Sequence, residues 1–537
     1  MSTRISVNQD QSEKLPEETY GKSGTQKSKM DLMPGYDRVK TVIGGLLLSE
    51  GLRAKTMRGG AWLGAGSVAE QAARFARNML LARLLAPGAF GTMAIVISSA
   101  SLVDTLTDVG QKAAIIQNPR GGEKAYLNAS WWLGMGRAIF SYSIIFTLAP
   151  WISQFYGRPE LAQLLRVALL GILFNGAMSP RSILAQKEMR FARWTAITNG
   201  GGVCGVILTV ILSFFIRDVW ALVIGYCSEH AFRCLLSYTL RPGLPSLQWD
   251  WHAAREILTF SRGIVGLSFL NLVIGRADVF VLAKLYSSAT LGLYTMAVFL
   301  VTTPSVFFTG MLGQALIPAL SSVQEDVERL NRILMEVTSW LVLLGLPAVA
   351  CICLTAPHLL ALAYGSRYAA AVGPLSLASA AVFLTVLHAT TTCVLFAKGR
   401  PALHRHAVAA TAVTMVIAIY PACRFLGPVG GQVAALLAIA VGYLLQLILL
   451  RGVTGLKLPV YLGAFVRPGL AVAGILGVVL GSRRLGLATR PIVDLAFCLG
   501  SCAIACAVCA SAHLTSLRSG RGSYSAAPDE VHRGEPA

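Results

Sequence analysis

The feature that most constrains this chain is a succession of apolar runs of about 20 residues that extends along most of its length. A helix needs about 20 apolar residues to cross a bilayer. Hydrophobic residues make up 55% of the 537 residues and charged residues only 13%, which is about half the charged share of soluble proteins. The sequence therefore predicts an all-α integral membrane protein and excludes an ordinary soluble enzyme.

Glycine, proline and charged residues divide the apolar runs into fourteen segments, each predicted to be a membrane-spanning helix. The first twelve predict two six-helix lobes, one over residues 59–240 and one over residues 259–450. The last two predict an additional helix pair within residues 451–513. The fourteen segments are 59–83, 89–111, 127–151, 161–184, 194–216, 218–240, 259–284, 289–317, 333–355, 370–396, 407–425, 429–450, 467–482 and 491–513.

The regions outside these helices are polar. Residues 1–58 are rich in Ser, Lys and Glu, and because such a segment buries too little apolar surface to fold alone, we expect a disordered cytoplasmic tail. Residues 241–258 are predicted to form a cytoplasmic linker at the membrane interface. Residues 514–537 are predicted to be a cytoplasmic C-terminal tail.

The net charge of +20 comes from 46 basic and 26 acidic residues. Basic residues concentrate in alternate loops, which is the pattern that orients a chain in the bilayer rather than that of a nucleic-acid surface. The bias predicts that both termini are cytoplasmic and that no nucleic acid is bound. One loop disagrees, because Arg483, Arg484 and Arg490 would face outward. The basic inner loops contain Lys112, Arg120 and Lys124; Arg181, Lys187, Arg190 and Arg193; and Lys398, Arg400 and Arg405.

Two pairs of similar strings reveal an internal repeat. LARLLAPGAFG (Leu81–Gly91) and LAKLYSSATLG (Leu282–Gly292) lie 201 residues apart and align without a gap. APWISQFYG (Ala149–Gly157) and APHLLALAYG (Ala356–Gly365) lie about 207 residues apart and need one insertion. Six helices separate equivalent positions, and because six is even, the lobes share one orientation. The repeat predicts parallel pseudo-symmetric lobes, which in transporters enclose a substrate path and alternate access.

Several strings resemble the polysaccharide transporter family, the Wzx-type O-antigen and exopolysaccharide flippases of the multidrug/oligosaccharidyl-lipid/polysaccharide exporter superfamily. The resemblance extends from about Gly59 to Leu450. The chain departs from the family pattern in its long N-terminal tail, at Arg262, where a small residue is usual, and in its last helix pair. The matching strings are ARLLAPGAFGTMAIV, LNASWWLG (Leu127–Gly134), SPRSILAQKEMRF (Ser179–Phe191), VWALVIG (Val219–Gly225), LGLYTMAVF (Leu291–Phe299) and LIPALSSVQED (Leu316–Asp326).

The resemblance implies a fold and a function. In that family two six-helix lobes form a V around a central cavity. Members move undecaprenyl-pyrophosphate-linked oligosaccharides from the inner to the outer leaflet of the bacterial inner membrane, for surface polysaccharide or lipopolysaccharide synthesis. A polysaccharide polymerase and a chain-length regulator would be partners, together with membrane lipids.

Ionisable residues inside apolar spans are costly and mark the protein interior or a wet cavity. Glu70, Arg74 and Arg77 are spaced i, i+4, i+7 and share one face of the first helix, whereas Arg137 and Arg276 lie deep in the third and seventh. A guanidinium group binds phosphate bidentately and stays charged, so the four arginines are predicted to bind a phosphate-containing head group. The structural alternative is an internal Glu70–Arg74 pair, with Arg77 snorkelling or paired elsewhere.

Acidic residues in the spans are predicted to balance these charges. The 201-residue offset makes Asp278 equivalent to Arg77. We expect these two to neutralise each other across the lobe interface or exchange a proton, or else to form a structural ion pair. Asp104 and Asp108, at i and i+4 in the second helix, are candidates for cation coordination or for pairing with Arg74 or Arg77.

Two further sets of polar residues have simpler expectations. Glu229 and Arg233 are spaced i, i+4 on the sixth helix and are predicted to pair with each other. His404 and His406 are predicted to lie in a basic cytoplasmic loop that contacts anionic head groups.

Nothing in the sequence predicts catalysis or a bound cofactor. A cysteine stripe marks the last helix, but because no histidine lies beside it we expect close helix packing rather than a metal site. The chain contains no P-loop, nucleophile elbow or HExxH motif, so we expect no enzyme activity, cofactor or metal. The stripe consists of Cys498, Cys502, Cys506 and Cys509.

Two other functions compete with the flippase. An ion-coupled drug or metabolite antiporter of the same superfamily should present carboxylates to a cationic substrate, whereas the central spans here offer arginines. A membrane-embedded polymerase should carry a large outer loop, and no outer loop here exceeds about 15 residues. The sequence therefore favours the flippase.

Overall fold

The computed structural model describes residues 52–108, 110–240, 246, 249–261, 265–485, 496–508 and 510–511. The C-terminal tail, Arg262 and residues 1–51 of the predicted N-terminal tail lie outside these residues. The chain divides into two units, Met1–Ala61 and Trp62–Ala537. The description that follows applies to the described part of the second unit, which contains helices and no strand. Residues 52–61, at the start of the first described helix, belong to the first unit.

The first lobe contains the helices α1 to α9. They are α1 Leu52–Leu84, α2 Pro87–Thr107, α3 Gln111–Gln117, α4 Lys124–Tyr156, α5 Glu160–Ala168, α6 Leu170–Gly176, α7 Arg181–Lys187, α8 Phe191–Phe215 and α9 Val219–Leu240.

A linker helix, the second lobe and a terminal group follow. They are α10 Trp251–Ser261; α11 Val265–Leu285, α12 Ser288–Ser321, α13 Val327–Tyr364, α14 Val372–Ala397, α15 Pro401–Leu426 and α16 Gly430–Thr454; and α17 Leu458–Gly463, α18 Val466–Arg484 and α19 Ala496–Val508.

The helices overlap all fourteen predicted segments, and the prediction of an all-α membrane protein is confirmed. Within the described residues, nine stretches are long and apolar enough to cross a membrane. The bent pair Glu160–Gly176 and Arg181–Lys187 makes a tenth if it forms one span. One of the nine, Pro401–Thr454, contains both α15 and α16. The two charged helices α1 and α9 are not among the nine, so the total of fourteen spans stays a prediction.

The two lobes repeat the same helix packing. In the first lobe α4 packs on α5 and α6, α8 on α9, and α9 on α6. In the second lobe α13 packs on α14, α15 on α16, and α16 on α14. The third helix of each lobe also ends alike, because Gly157 and Gly365 close α4 and α13 with φ of 66° and 100°, values that favour glycine. Both repeated strings therefore occupy equivalent positions.

The first repeated string forms a reciprocal contact between the lobes. A Cβ atom on Gly91 would lie 2.8 Å from the carbonyl carbon of Ser288. A Cβ atom on Gly292 would lie 2.7 Å from the carbonyl carbon of Pro87. Because Ser288 and Gly292 are 201 residues beyond Pro87 and Gly91, each lobe presents the same surface to the other, as in a two-fold interface.

A second reciprocal contact uses both repeated strings. Arg83 Nη2 donates to the Leu362 carbonyl oxygen at 2.6 Å, and Lys284 Nζ donates to the Phe155 carbonyl oxygen. Arg83 and Lys284 are 201 residues apart, and Phe155 and Leu362 are 207 residues apart. Because equivalent helix ends meet on one side of the molecule, the lobes are parallel, and this pair of contacts is called the reciprocal clamp below.

Arg158 makes further contacts at the end of the molecule where the reciprocal clamp joins the lobes, which is called the closed end below. Its Nη2 donates to the carbonyl oxygens of Ala283 and Tyr286 at 3.3 and 2.9 Å. Arg158, the second residue after α4, thus provides hydrogen bonds to carbonyl oxygens at the C-terminal end of α11. Burial lowers the pKa of Arg158. The two lobes are thus held together where α1, α4, α11 and α13 end.

The predicted interfacial linker contains the amphipathic helix α10. Ala253, Ala254 and Ile257 are buried in a cluster with residues of α3 and α4, whereas Trp251 is 73% exposed. A helix with one packed face and an exposed tryptophan suits the membrane surface. Its placement at the cytoplasmic interface stays a prediction.

The predicted additional pair corresponds to α18 and α19. Ile475 and Val479 of α18 cluster with the buried Cys498 of α19, and Leu354 of α13 packs against them. Among the described residues no group of three His, Cys, Asp or Glu could hold a metal ion. Cys509 of the stripe lies outside the described residues.

Candidate functional site

A cavity of about 510 Å³ lies between the two lobes. Helices α1, α2 and α9 line it from the first lobe, and α11 and α12 from the second. It contains three of the four arginines predicted to bind the head group. The polar lining residues are Arg74, Arg77, Asn78, Ser101, Tyr226, Glu229, His230, Arg233, Arg276 and Thr295.

Two carboxylates and two guanidinium groups form a closed network that joins α1 to α9. Arg74 Nη2 donates to Glu70 Oε1 at 2.9 Å and also to Glu229 Oε1. Arg233 Nη2 donates to Glu70 Oε1 at 3.0 Å and forms an ion pair with Glu229 Oε1 at 2.8 Å. The structural alternative of a Glu70–Arg74 pair is present, and the predicted Glu229–Arg233 pair is confirmed. Both belong to one four-residue network.

Glycines of α8 make room for this network. A Cβ atom on Gly202 would lie 2.5 Å from Glu70 Oε1, and one on Gly201 would lie 2.5 Å from Arg233 Cγ. Small residues let helix backbones approach closely in a membrane. The glycine run from Gly200 is the sequence signal that could have indicated a charged network here.

The remaining two arginines leave the cavity positively charged. Arg77 Nε donates to Asn78 Oδ1 at 3.2 Å but has no ion pair with a described residue. Arg276 has neither a hydrogen bond nor an ion pair within the described part of the chain. Because the network is neutral, Arg77 and Arg276 add two positive charges to the cavity lining, one from each lobe, and neither has an ion-pair partner among the described residues.

Arg137 does not line the cavity that contains the other three arginines predicted to bind the head group. Its Nη2 donates to Asp104 Oδ1 at 2.9 Å and its Nη1 to the Asp104 carbonyl oxygen at 3.2 Å. Of the two alternatives for Asp104, pairing with Arg74 or Arg77 is therefore wrong, because Asp104 pairs with Arg137 of the third helix of the lobe. Asp108 is exposed and accepts from the Gly110 backbone N–H at 3.0 Å, which is a turn rather than an ion pair.

The expected pairing of Asp278 with Arg77 is also wrong. Tyr294 Oη donates to Asp278 Oδ2 at 2.6 Å, and Gln432 Nε2 donates to Tyr294 Oη at 2.6 Å. The carboxylate thus belongs to a hydrogen-bonded chain within the second lobe, formed by α11, α12 and α16. The offset of 201 residues correctly identified equivalent positions, but equivalence under a two-fold axis does not bring two side chains together.

Sequence reasoning missed the aromatic and neutral polar groups of the cavity. Tyr226 and His230 stack edge to face with their ring centroids 4.9 Å apart on α9, and Phe90 and Phe299 complete the wall. Asn78 orients Arg77. These residues have ordinary helical spacing in apolar surroundings, so no local pattern distinguishes them from core residues.

A second, apolar cavity of about 310 Å³ also lies between the lobes. Phe75 and Met79 of α1 line it beside Arg77, and residues of α12, α13 and α14 form the rest of its wall. An apolar space therefore lies along the same helix as the charged cavity. The residues of the second lobe are Leu300, Val301, Ile352, Leu359, Leu362, Ala363 and Leu375.

The prediction that His404 lies in a loop is wrong. His404 is inside α15, and its Nδ1 lies 2.9 Å from Gln446 Oε1. Pro401 occupies the first turn of α15, where proline needs no backbone donor, so the helix starts earlier than the apolar pattern suggested. His406 is also within α15 but is exposed.

Comparison with known proteins agrees with this architecture. The family described as polysaccharide biosynthesis protein matches residues 80–373. The Escherichia coli (strain K12) lipopolysaccharide biosynthesis protein WzxC is 23% identical over 451 residues, covering 80% of this chain and 89% of WzxC. The Bacillus subtilis (strain 168) teichuronic acid biosynthesis protein TuaB is 21% identical, covering 68% of this chain and 76% of TuaB.

Solved structures share the fold. The lipid II flippase MurJ in an inward closed conformation is similar with a TM-score of 0.69 at 11% identity, covering 84% of this chain and 98% of MurJ. An inward-facing multidrug resistance MATE family transporter has a TM-score of 0.53 at 14% identity, covering 71% of this chain and 95% of that structure. The similarity spans both lobes of the chain.

Proposed function

The chain belongs to the polysaccharide biosynthesis protein family, and on that premise we propose that it is a flippase for lipid-linked oligosaccharides. Its substrate would be an undecaprenyl-pyrophosphate-linked repeat unit, moved from the inner to the outer leaflet of the bacterial inner membrane. The observation that carries the proposal is the cavity between the lobes, where Arg77 and Arg276 have no ion-pair partner among the residues that the structure describes.

The charge of the cavity suits a pyrophosphate. An anionic head group cannot enter a low-dielectric space without counter-charge, and guanidinium groups supply charge together with directed hydrogen bonds. Arg77 and Arg276 approach from opposite lobes, so one head group can engage both lobes at once. This arrangement supports their assignment as substrate-binding residues, whereas Arg74 is engaged in the network and Arg137 is paired with Asp104.

The apolar cavity beside Arg77 suits a lipid tail. Phe75 and Met79 line the apolar cavity on the side of α1 that faces away from its charged residues. A polyprenyl chain can therefore stay in apolar surroundings while its head group enters the charged cavity. A soluble cationic drug would need neither feature. The carboxylates Glu70 and Glu229 are each held by two arginines, which argues against the antiporter for cationic drugs.

The reciprocal clamp supports alternating access. Arg83 and Lys284 join the lobes at one end of the molecule through two equivalent hydrogen bonds to carbonyl oxygens. Because each bond is weak by itself, about 1 kcal/mol, the closed end can open while the head group is bound at Arg77 and Arg276. The lobes would then rock about the cavity, as pseudo-symmetric transporters do.

Surface polysaccharide formation in a strain that lacks its own flippase tests the proposal. Arg77→Ala and Arg276→Ala should abolish polysaccharide per folded molecule, and Lys at either position should restore part of it by keeping the charge without the bidentate fork. Arg424→Ala, which removes an exposed arginine at the end of α15, is the matched control. If the cavity variants lose polysaccharide only in proportion to lost protein, the cationic-cavity mechanism is wrong.

A further inference from the structure

A third cavity, of about 390 Å³, lies within the second lobe and contains two histidines. His388 of α14 and His404 of α15 have ring centroids 5.8 Å apart. No Asp, Glu, Lys or Arg among the described residues lines this cavity. The polar lining residues are Asn271, Thr309, Thr385, His388, Thr392, Cys393, His404 and Thr411.

The side-chain amide of Gln446 connects the two rings, and threonines fix its orientation. Thr391 and Thr392 each donate their single hydroxyl hydrogen to the His388 carbonyl oxygen, at 2.8 and 2.9 Å. Their oxygens are therefore acceptors toward Gln446 Nε2, which lies 2.7 and 3.0 Å away. Gln446 Nε2 also lies 3.3 Å from the His388 carbonyl oxygen, which can only accept a hydrogen bond. The amide nitrogen therefore faces this side, and Gln446 Oε1 faces the histidine rings.

This orientation determines the tautomers. Gln446 Oε1 lies 2.6 Å from His388 Nε2 and 2.9 Å from His404 Nδ1. A carbonyl oxygen only accepts hydrogen bonds, so both of these ring nitrogens carry hydrogen. In the neutral rings, His388 Nδ1 and His404 Nε2 are then bare acceptors, and neither has a hydrogen-bond partner among the described residues.

The two bare nitrogens suit protons rather than metal ions. Both rings point their other nitrogen at one shared oxygen, so the bare nitrogens lie on the far edges of the rings and do not converge on one ion. Hard cations such as Na⁺ and Ca²⁺ take oxygen ligands, whereas the basic nitrogen of a neutral imidazole is an acceptor for a proton. The other titratable groups nearby are Cys393, which lines the cavity, and Tyr443, whose ring lies 6.1 Å from His388.

The histidine cavity and the central cavity share two helices. Helix α11 carries Asn271 at one cavity and Arg276 at the other, and α12 carries Thr309 at one and Thr295 at the other. A charge that appears at the histidines is costly in apolar surroundings, so it favours a conformation in which α11 and α12 admit water. A proton with different affinities for two conformations shifts their populations.

We propose that His388 and His404 form a proton-binding site and that the proton bound there is the coupling ion of transport. Only the second part of this proposal, the coupling of the bound proton to transport, rests on the proposed flippase function. Proton binding itself is a property of the second lobe and can be measured without a substrate.

The first experiment measures proton binding on the full-length protein in nanodiscs by ¹⁵N NMR of labelled histidines. His388→Gln and His404→Gln each remove one of the eight histidine signals and so assign these two rings. At pH 8 the signal of His388 should be that of a ring protonated at Nε2, and the signal of His404 that of a ring protonated at Nδ1. Glutamine keeps a donor toward Gln446 but has no basic nitrogen. One of the two should become an imidazolium as the pH falls to 5. If both rings stay neutral throughout, the proton site is refuted whatever the protein transports.

The second experiment measures coupling in proteoliposomes that contain undecaprenyl-pyrophosphate-linked oligosaccharide. A pH gradient should stimulate flipping by the wild type, and His388→Gln or His404→Gln should abolish the stimulation while leaving the slower flipping without a gradient. His406→Gln, two residues away and exposed, should keep the full stimulation. A response to a Na⁺ gradient instead, or full stimulation in both variants, overturns the coupling. Absence of all flipping by the wild type would refute the flippase function and leave the NMR result valid.

Discussion

Replacing either glycine of the reciprocal contact by alanine adds one methyl group between the lobes and should open the closed end. In Gly91→Ala the new Cβ would lie 2.8 Å from the Ser288 carbonyl carbon, and ordinary contact begins at 3.4 Å, so the helices must separate there by at least 0.6 Å. The obstructing atoms are backbone atoms of α12 and cannot rotate away. Overpacking costs about 1 to 3 kcal/mol, and a rigid obstacle favours the upper end of that range.

A cost of about 3 kcal/mol to the closed state shifts its population by about 100-fold, since about 1.4 kcal/mol corresponds to a factor of ten. Gly292→Ala should act in the same way, because its Cβ would lie 2.7 Å from the Pro87 carbonyl carbon. Gly88→Ala is the matched control in the same turn of α2, because its Cβ would lie at an ordinary 3.7 Å from Ser288 Cβ. It also corrects for the gain of up to about 1 kcal/mol from replacing a helical glycine.

The assay is pulsed electron paramagnetic resonance between spin labels on α4 and α13, attached through unnatural amino acids at the exposed positions Gln154 and Ala361. Gly91→Ala and Gly292→Ala should replace the short interlobe distance with a longer one, and Gly88→Ala should leave it in place. If all three variants keep the wild-type distance, close packing at these glycines does not hold the lobes together, and the reasoning is refuted.

Three further outcomes follow from the same contacts. Arg83→Ala and Lys284→Ala should each destabilise the closed conformation by about 1 kcal/mol, seen as a larger share of the longer distance between the spin labels. The two effects should add in the double variant. If one single variant has the same effect as the double variant, the two hydrogen bonds are not independent. Arg233→Ala should reduce the abundance of the protein in the membrane more than it reduces transport per folded molecule. The substitution removes one of the two arginines that hold Glu70 and Glu229, which costs about 1 to 3 kcal/mol of stability. Equal losses of abundance and of transport per molecule would contradict this. Cysteines placed at Ser366 and Ala402 should be labelled from opposite sides of the membrane by an impermeant thiol reagent. Labelling of both cysteines from the same side would contradict the predicted topology.

Much of the fold could be predicted because it depends on long-range periodicity. Apolar runs locate helices directly, since a span of about 20 apolar residues has few alternatives. The repeat indicated the parallel relation of the lobes, because an even number of helices separates Gly91 from Gly292. The sequence did not indicate that these glycines touch, since two strings can be equivalent without lying on the pseudo-two-fold axis.

The site was predicted only in part, because partners depend on how helices pack. Arg74, Arg77 and Arg276 lie in the cavity, as expected of ionisable residues in spans. Arg137 has the same depth and residue type, but the neighbouring α2 places Asp104 against it. Distances between side chains on different helices are not encoded in local spacing.

His404 shows a different limit. It follows Lys398, Arg400 and Pro401, a pattern typical of a loop, and the structure places it in a helix, where it faces Gln446. A proline near the first helical turn is compatible with a helix start as well as with a loop. Only the packing of α14, α15 and α16 shows that the two histidines share one amide oxygen.

The measurement that tests the central claim most directly is the flipping rate of a labelled undecaprenyl-pyrophosphate-linked oligosaccharide in liposomes containing known amounts of folded protein. The wild type should accelerate flipping of this lipid but not of an uncharged analogue with the same tail. The double variant Arg77→Gln/Arg276→Gln should lose the acceleration, and Arg424→Gln should retain it. Equal acceleration by the double variant and the wild type, or equal flipping of the uncharged analogue, would contradict a flippase that recognises its substrate through these two arginines.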